Sequence, residues 1–304
     1  FSSRDIKGAP EGDKIKTILP LVMRSIMLAI AFGVFCYSVF GIAVRMAEDK
    51  NQENAYGNIR PNIEIASAVA KPAQLKEPNK MPTLLEMIDS DGNYSDYVIG
   101  PVVDPDKYTS YHSALLSLSA KYPDVYGWIV FTGTAIDYPI MLGNDNSFYL
   151  HHDYKGVEVK SGSIFADYSL SPTHRDNYNA LIYGHCMTNG SMFRGIKLWY
   201  DKPNRNTLAN DMQIEIYTKD AVYIYELFSA YRSDDFNFDK TKFSDEADYL
   251  SYLKEAEKRS TLKKKVAYSS QSKICTLITC TNVKSNPDER YVVHGILRQI
   301  IPYE

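Results

Sequence analysis

The segment Lys273-Ile-Cys-Thr-Leu-Ile-Thr-Cys280 decides the fold of this 304-residue chain. Its β-branched and apolar residues are typical of a buried strand, and the strand ends in a cysteine. A second run of this kind, residues 291–297, starts directly after Arg290, which lies ten positions beyond the cysteine. Upstream, a third apolar run, residues 180–183, is followed by Gly184 and His185. The sequence therefore predicts a thiol, an imidazole and a guanidinium at three strand ends.

These three side chains are the candidate catalytic residues, because together they provide what covalent acyl transfer needs. A cysteine such as Cys280 can attack a carbonyl carbon, and a histidine such as His185 can move protons. Arg290 remains charged and offers several fixed donors to a developing oxyanion. The alternative for the arginine is an exposed ion pair with Asp288 or Glu289.

The other cysteines have different expected roles. Cys275 is five positions from Cys280, so on one strand the two face opposite sides, and Cys275 is expected in the core. Cys186 directly follows the candidate histidine, and the sequence leaves three roles open: an inert thiol, a redox-sensitive neighbour, or a disulfide partner of Cys280. Cys36 is expected inside lipid. Because no CxxC pair occurs, neither a zinc site nor a disulfide framework is expected.

The remaining histidines are expected to lie outside the site. They are His112, His151, His152, His174 and His294. His294 lies in the last strand and is expected to be a structural, hydrogen-bonded residue, whereas His174 is expected in a polar loop. The adjacent pair of histidines is expected in a turn or on the surface. Asn179 and Asn189 are close to His185 in sequence, but no residue stands out as the group that orients its ring.

Composition and pattern favour a mostly β fold and argue against nucleic acid as a partner. The chain is 44% hydrophobic with 24 tyrosines, and its net charge of −3 gives no basic excess to neutralise phosphates. Short strands separated by Gly, Asn, Asp and Pro favour a barrel or sandwich without βαβ alternation. The predicted strands are residues 126–131, 135–141, 163–165, 179–183, 213–218, 221–232, 274–279 and 291–300, with helices at 108–121, 245–259 and, as a short one, 82–90.

The N-terminal quarter contains an uncharged stretch, residues 25–44, whose 20 residues are long enough to cross about 30 Å of hydrocarbon. A cleavable signal peptide is the alternative, but the apolar run is longer than a usual h-region and no clear small-x-small cleavage site precedes Arg45. Within 20 residues of each end, four basic residues precede the stretch and three follow it, which favours a cytoplasmic N-terminus. We expect a cytoplasmic tail at 1–24, a transmembrane anchor at 25–44, an extracellular stalk at 45–82 and the catalytic domain at 83–304.

Several motifs resemble one known family. Thr276-Leu-Ile-Thr-Cys280 with Arg290, and Tyr183-Gly-His185 followed by Ser191-Met-Phe193, look like a sortase, a cysteine transpeptidase of Gram-positive bacteria. The stretch from Gly127 to Pro139 and Ser147-Phe-Tyr-Leu150 look like the class B branch of that family. The resemblance runs from about residue 115 to residue 300 with the motif order preserved.

The resemblance implies a closed antiparallel sortase-like β-barrel with peripheral helices, one of them between the last two long strands before Cys280. It also implies a membrane-anchored transpeptidase that cleaves a C-terminal sorting motif of secreted proteins through a thioester. The acceptor would be an amine, either of a peptidoglycan precursor or of a pilin lysine, and no metal or organic cofactor is implied. Two alternatives stay open: a cysteine hydrolase that uses water as acceptor, and a non-catalytic, membrane-anchored binding domain.

Overall fold

The computed structural model describes residues 11–61, 98–99, 105–235 and 238–303. The chain divides into two units, Phe1–Ala55 and Tyr56–Glu304. The short helix predicted at residues 82–90 lies outside the described residues.

The first unit contains most of helix α1, Glu11–Gly57. Large apolar side chains are exposed along this helix; Leu28 and Phe32, for example, are 71% and 68% exposed. Among the described residues, one helical segment, Leu19–Gly57, is long and apolar enough to cross a membrane, although a signal sequence near an N-terminus passes the same test. The predicted apolar span, residues 25–44, lies inside it.

The second unit is built around one nine-stranded sheet. Its strands are β1 Val98–Ile99, β2 Val125–Phe131, β3 Ile136–Leu142, β4 Ile164–Ala166, β5 Asn179–Tyr183, β6 Gln213–Tyr217, β7 Ala221–Ser233, β8 Ile274–Cys280 and β9 Arg290–Pro302. Eight of these agree with the predicted strands to within two residues at each end, because each combines β-branched or aromatic residues with Gly, Asn, Asp or Pro at its borders. The two-residue strand β1 was not predicted.

The sheet closes into a barrel. The order is β1-β9-β7-β6-β2-β3-β4-β5-β8, and β8 also pairs with β9, so strands β2 to β9 form a closed ring. The predicted closed barrel is therefore confirmed. Its pairing departs from the antiparallel prediction at two places in the ring, since β3–β4 and β5–β8 are parallel, and outside the ring β1 also pairs with β9 in parallel. Parallel neighbours require a crossover connection, and residues 143–163 and 184–273 provide these two crossovers.

The described part of the second unit also contains helices. They are α2 Pro105–Lys121, α3 Phe148–His151, α4 Arg194–Tyr200, α5 Arg205–Leu208 and α6 Glu246–Arg259, with a 3₁₀ turn at His174–Asp176. The predicted helices at 108–121 and 245–259 correspond to α2 and α6, and α6 lies between β7 and β8 as expected. Asp245 caps α6, because its side chain accepts a hydrogen bond from the backbone N–H of Asp248.

The barrel wall separates two apolar layers, so residues on one strand alternate between them. In β8, Cys275 and Leu277 belong to the larger cluster, whereas Ile274 and Ile278 belong to a smaller cluster that includes Leu253 of α6. This double burial explains why β8 is apolar on both faces, as strands covered on both sides are.

The last turn of α1 and the residues after it contribute to the core of the second unit. Tyr56 is 3% exposed and packs edge-on against Tyr138 of β3, with ring centroids 5.3 Å apart. Arg60 donates from Nε to the carbonyl of Asp137 at 3.0 Å, and its guanidinium lies 4.9 Å from the centre of the Tyr138 ring. Both residues lie inside the predicted stalk, whose boundaries remain a prediction.

Candidate active site

Cys280 and Arg290 are direct partners across the β8–β9 ladder, where the cysteine ends one strand and the arginine begins the next. Residues directly opposite each other in an antiparallel pair point to the same face of the sheet. The ten-residue separation noted in the sequence therefore corresponds to one cross-strand pair closed by the connection at 281–289.

His185 comes to the same edge because β5 runs parallel to β8. Tyr183 pairs with Ile278, and the next backbone N–H, that of Gly184, donates to the Ile278 carbonyl at 3.2 Å. His185 therefore follows β5 at the level where Cys280 ends β8. Gly184 fits closely here: a Cβ at this position would lie 2.4 Å from Ile164 Cδ1 and 2.9 Å from Cγ of the fully buried Phe193, so both side chains would have to shift.

The three candidate residues line one cavity of about 360 Å³. The other lining residues come from α3 and the segment before it, from β4, from β5 and the residue after it, from β8, and from the loop after β7. They are Asn146, Leu150, Phe165, Tyr183, Gly184, Phe238, Asp239, Ile278 and Thr279. The side chains predicted to act together, although far apart in sequence, are thus brought to one cavity.

The imidazole of His185 is oriented by a backbone carbonyl. Its Nε2 lies 2.9 Å from the carbonyl oxygen of Leu150, and because that oxygen can only accept, Nε2 carries the hydrogen. Burial lowers the pKa of His185, the bond to Leu150 opposes that shift, and the charge of His151 adds to it. The two asparagines near in sequence do not provide this contact: Asn179 donates to Lys240, and Asn189 accepts from Ser191.

Arg290 is held by its own loop. Its Nη1 donates to the carbonyl of Pro287 at 2.8 Å and to that of Glu289 at 3.2 Å. The carboxylate of Glu289 forms an ion pair with Arg232. The structure thus gives Glu289 a different arginine as its partner from the one in the sequence-based alternative.

All four cysteines are free thiols. Cys275 is fully buried in the core, as predicted, and burial raises the pKa of its thiol. Cys186 is buried as well, with Nη1 of Arg194 3.6 Å from its sulfur, and burial raises its pKa. Cys280 is partly exposed and lines the cavity. The thiol that reaches the cavity is therefore the one at the strand end.

Two other histidines are structural. His294 is fully buried, with Nδ1 2.8 Å from the hydroxyl of Thr276 and Nε2 3.1 Å from that of Tyr231, which confirms its predicted role. His174 lies in the connection between β4 and β5, in agreement with the loop prediction. The residue is 3% exposed in a 3₁₀ turn, with hydrogen bonds to the hydroxyls of Tyr126 and Tyr225.

A carboxylate beside the cavity was not found from the sequence. Asp167, which is 7% exposed, accepts from Asn146 Nδ2 at 2.8 Å and from the hydroxyl of Tyr183 at 3.2 Å. Its other oxygen accepts from the backbone N–H and hydroxyl of Ser169. Asp167 thereby fixes two lining residues of the cavity. Its position directly after β4 was the available signal, since polar residues at strand ends often face a site.

Among the described residues, no group of three or more His, Cys, Asp or Glu side chains is placed to hold a metal ion. The chemistry available at the cavity is that of its own side chains: a thiol, an imidazole with one nitrogen held by a carbonyl, and a guanidinium on the strand that faces the thiol. That combination suits nucleophilic attack on a carbonyl with proton transfer and oxyanion stabilisation.

Comparison with known proteins agrees with this chemistry. A family model described as "Sortase domain" matches residues 133–298. Sortase B of Listeria monocytogenes is 35% identical over 184 residues, covering 60% of this chain and 73% of that protein. The crystal structure of Clostridium perfringens sortase B superposes with a TM-score of 0.55 at 36% identity, covering 60% of this chain and 98% of that one. A crystal structure of sortase B complexed with triglycine has a TM-score of 0.55 at 28% identity, covering 64% and 87%.

The barrel and the matched domain define the class of protein: this chain belongs to the sortase family, whose members are cysteine transpeptidases. Within that family, the relatives that it resembles identify it as a class B sortase. The family and class suggested by the sequence motifs are therefore confirmed.

Proposed function

We propose that this chain is a membrane-anchored transpeptidase in which Cys280, His185 and Arg290 join a secreted protein to an amine. The observation that carries the proposal is the convergence of the three residues on one cavity, with Cys280 and Arg290 as cross-strand partners. The first step cleaves a C-terminal sorting motif of the secreted protein, and the second transfers the new acyl group.

In the first step, the thiolate of Cys280 attacks the carbonyl carbon of the motif's threonine. The electron pair of the C=O bond moves to oxygen, and Arg290 stabilises the resulting oxyanion together with nearby backbone N–H groups. When the tetrahedral intermediate collapses, the C–N bond breaks and protonated His185 gives its proton to the departing amine. The products are a thioester on Cys280 and the released C-terminal peptide.

In the second step, the acceptor amine attacks the thioester carbonyl and loses a proton to His185. The C–S bond then breaks, which forms a new amide and regenerates the thiolate. The carbonyl of Leu150 supports both steps, because by holding Nε2 it fixes the orientation of the ring that accepts and returns the proton.

The N-terminal helix supports a role at the cell membrane. Its segment Leu19–Gly57 is long and apolar enough to span a bilayer. In the proposed topology the N-terminus is cytoplasmic and the catalytic barrel is outside the cell, where secreted proteins and wall precursors are found. Residues 45–82 would then connect anchor and barrel.

Between the two acceptors, we favour an amine of a peptidoglycan precursor over a pilin lysine. Support comes from the solved sortase B complexed with triglycine, since an oligoglycine carries a free amine of the kind that the second step consumes. A pilin lysine would give the same chemistry with a protein as acceptor.

The proposal is tested with the purified chain, a library of sorting peptides with threonine at the scissile position, and triglycine. We expect mass spectrometry to detect a peptide–triglycine adduct that requires both peptide and acceptor. Hydrolysed peptide with no adduct to triglycine or to a lysine side chain at any acceptor concentration would instead favour the cysteine hydrolase. Alkylation of Cys280 with no change in any measured activity or ligand binding would favour the non-catalytic binding domain.

A further inference from the structure

Tyr56, at the end of α1, contacts a turn that belongs to the active-site side of the barrel. Its hydroxyl donates to the carbonyl of Gly162 at 3.3 Å and lies 3.4 Å from the hydroxyl of Ser163. Its ring packs against Tyr138 and Tyr154, with centroids 5.3 and 5.4 Å away. The side chain is thus fixed on two sides by aromatic rings, and its polar end reaches the turn at residues 161–163.

That turn is hydrogen-bonded to the short helix α3 and to the residue that follows it. The backbone N–H of Ser163 donates to the carbonyl of Tyr149 at 2.9 Å, and its hydroxyl donates to that of His152 at 2.9 Å. Gly162 has a φ of +53° and lies so close to α3 that a Cβ there would be 2.4 Å from the carbonyl oxygen of Leu150. A shift of the turn would therefore move the end of α3.

The carbonyl that Gly162 approaches is the one that orients the catalytic imidazole. Leu150 O accepts from Nε2 of His185 at 2.9 Å. A continuous series of contacts thus leads from Tyr56 through the 161–163 turn and Leu150 to His185. Tyr56, Gly162 and Ser163 are buried, and Leu150 takes part through its backbone carbonyl, so the contacts between Tyr56 and His185 leave little room for displacement.

We propose that Tyr56 is a positioning residue for catalysis: by holding the 161–163 turn against α3, it keeps the Leu150 carbonyl where it selects the Nε2-protonated tautomer of His185. The inference rests on the proposed role of His185 and extends it to the residue at which the N-terminal helix enters the barrel domain. Removing Tyr56 should therefore slow the chemical step without weakening substrate binding.

The test uses the full chain in detergent. We expect Tyr56→Ala to lower kcat about tenfold with KM unchanged within about twofold, because a small displacement of a proton-transfer group slows chemistry more than binding. Tyr56→Phe keeps the ring and loses the hydroxyl contacts, so its kcat should fall about two- to threefold. Equal turnover in both variants and the wild-type chain would overturn the proposal.

A second measurement does not depend on activity. In a Cys280→Ala background, ¹⁵N NMR of the imidazole should find neutral His185 protonated at Nε2, with the signal assigned by its loss in His185→Gln. Adding Tyr56→Ala should produce a mixture of tautomers, and an unchanged tautomer would reject the positioning role. If the wild-type chain proved inactive on every peptide, the proposed function would fail while this measurement would still decide the role of Tyr56.

Tyr108→Ala is the matched control. Tyr108 is 1% exposed and belongs to α2, which contacts β2 and β6 on the far side of the ring from β8. We expect it to lower the unfolding temperature as Tyr56→Ala does, but to leave kcat and the His185 tautomer unchanged. If Tyr56→Ala fails to fold, Ser163→Ala interrupts the same series of contacts and should give the same mixture of tautomers; a single Nε2-protonated species there would refute the proposal.

Discussion

The cavity and the barrel wall behind it contain the same three residue types, and the two sets differ in burial and in partners. The cavity set is Cys280, His185 and Arg290, and the wall set is Cys275, His294 and Arg298. The two cysteines share β8 and the two arginines share β9. The comparison therefore separates the effect of residue type from the effect of location.

In the wall, the guanidinium of Arg298 and the imidazole of His294 each have side-chain partners of complementary chemistry. Arg298 is 4% exposed, donates from Nε to Glu226 at 2.9 Å and from Nη2 to the Ala267 carbonyl at 2.7 Å. Both ring nitrogens of His294 have hydroxyl partners. Groups saturated in this way stabilise the fold and are unable to approach a substrate.

In the cavity, backbone carbonyls hold the imidazole and the guanidinium. Leu150 holds one nitrogen of His185, and Pro287 and Glu289 hold Arg290. Among the described residues, no hydrogen bond to Nδ1 of His185 is found. A backbone carbonyl fixes orientation without neutralising charge, so it leaves these groups able to act. Reactivity here follows from location on the barrel more than from residue type.

The cysteine pair should give the largest difference. We expect Cys280→Ala to abolish thioester formation, because no other thiol lines the cavity among the described residues. Cys275→Ala should keep turnover and lose about 1 kcal/mol of stability, as small core deletions do. Mass spectrometry of the acyl-enzyme and denaturant unfolding measure the two effects. Cleavage by Cys280→Ala at the wild-type rate would end the transpeptidase proposal.

The histidine pair, His185 and His294, should give the next largest difference. We expect His185→Gln to lower kcat about 10²- to 10⁴-fold, the usual contribution of a positioned general acid or base. His294→Gln should leave kcat near wild type and destabilise the fold by about 1–3 kcal/mol, because it leaves a buried hydroxyl without its partner. Steady-state kinetics and thermal unfolding separate the two. A folded His294→Gln enzyme without activity would show that the general acid has been misassigned.

The arginine pair tests whether geometry or charge matters. Arg290→Lys keeps the charge but not the planar set of donors, so we expect kcat to fall about 10²- to 10³-fold, nearly as far as in Arg290→Ala. Arg298→Lys should retain turnover and lose stability, because an ammonium cannot reach both Glu226 and the Ala267 carbonyl. Near-normal turnover of Arg290→Lys would remove this residue from the catalytic set.

The sequence predicted the parts of this comparison that depend on local pattern. The strand ends at Cys280 and Arg290 follow from alternating apolar runs, and the separation of Cys275 from Cys280 follows from the two-residue period of a strand. The family motifs then selected His185 among six histidines. Eight strands were predicted from their β-branched and aromatic residues and the turn residues at their borders, and the helix after β7 from its three-residue spacing of apolar side chains.

The rest depends on tertiary contacts that leave no pattern in the chain. Leu150 acts through its carbonyl, which every residue possesses, so nothing distinguishes it in sequence. The two parallel pairs in the ring depend on the paths of the crossover connections, and the residues of β3 and β5 themselves carry no information about those paths. Tyr56 lies in a segment of polar, helix-compatible residues, and its partner turn is more than a hundred positions away.

The last prediction concerns pH, and it compares the buried imidazoles of His174 and His294 with the partly exposed imidazole of His185. Burial lowers the pKa of His174 and of His294 from 6.5 to about 3. For His174, the charge of Asp220 opposes this shift and that of Lys273 adds to it, while the hydroxyls of Tyr126 and Tyr225 face the ring. Both rings are therefore neutral in the folded chain throughout the mildly acidic range.

The sign of the effect follows from proton binding. Below about pH 6.5 the unfolded chain protonates these histidines and the folded chain does not, so stability is fully present above that pH and is lost as pH falls toward 3. Between about pH 7 and pH 5 each ring should remove about 2 kcal/mol from the free energy of unfolding. The lowered pKa of His185 acts in the same direction. Denaturant unfolding at several pH values measures the slope: His294→Gln should reduce it, whereas the exposed His151→Gln should not. If the free energy of unfolding had the same pH slope in the wild type and in His294→Gln, the ring of His294 would already be protonated in the folded state.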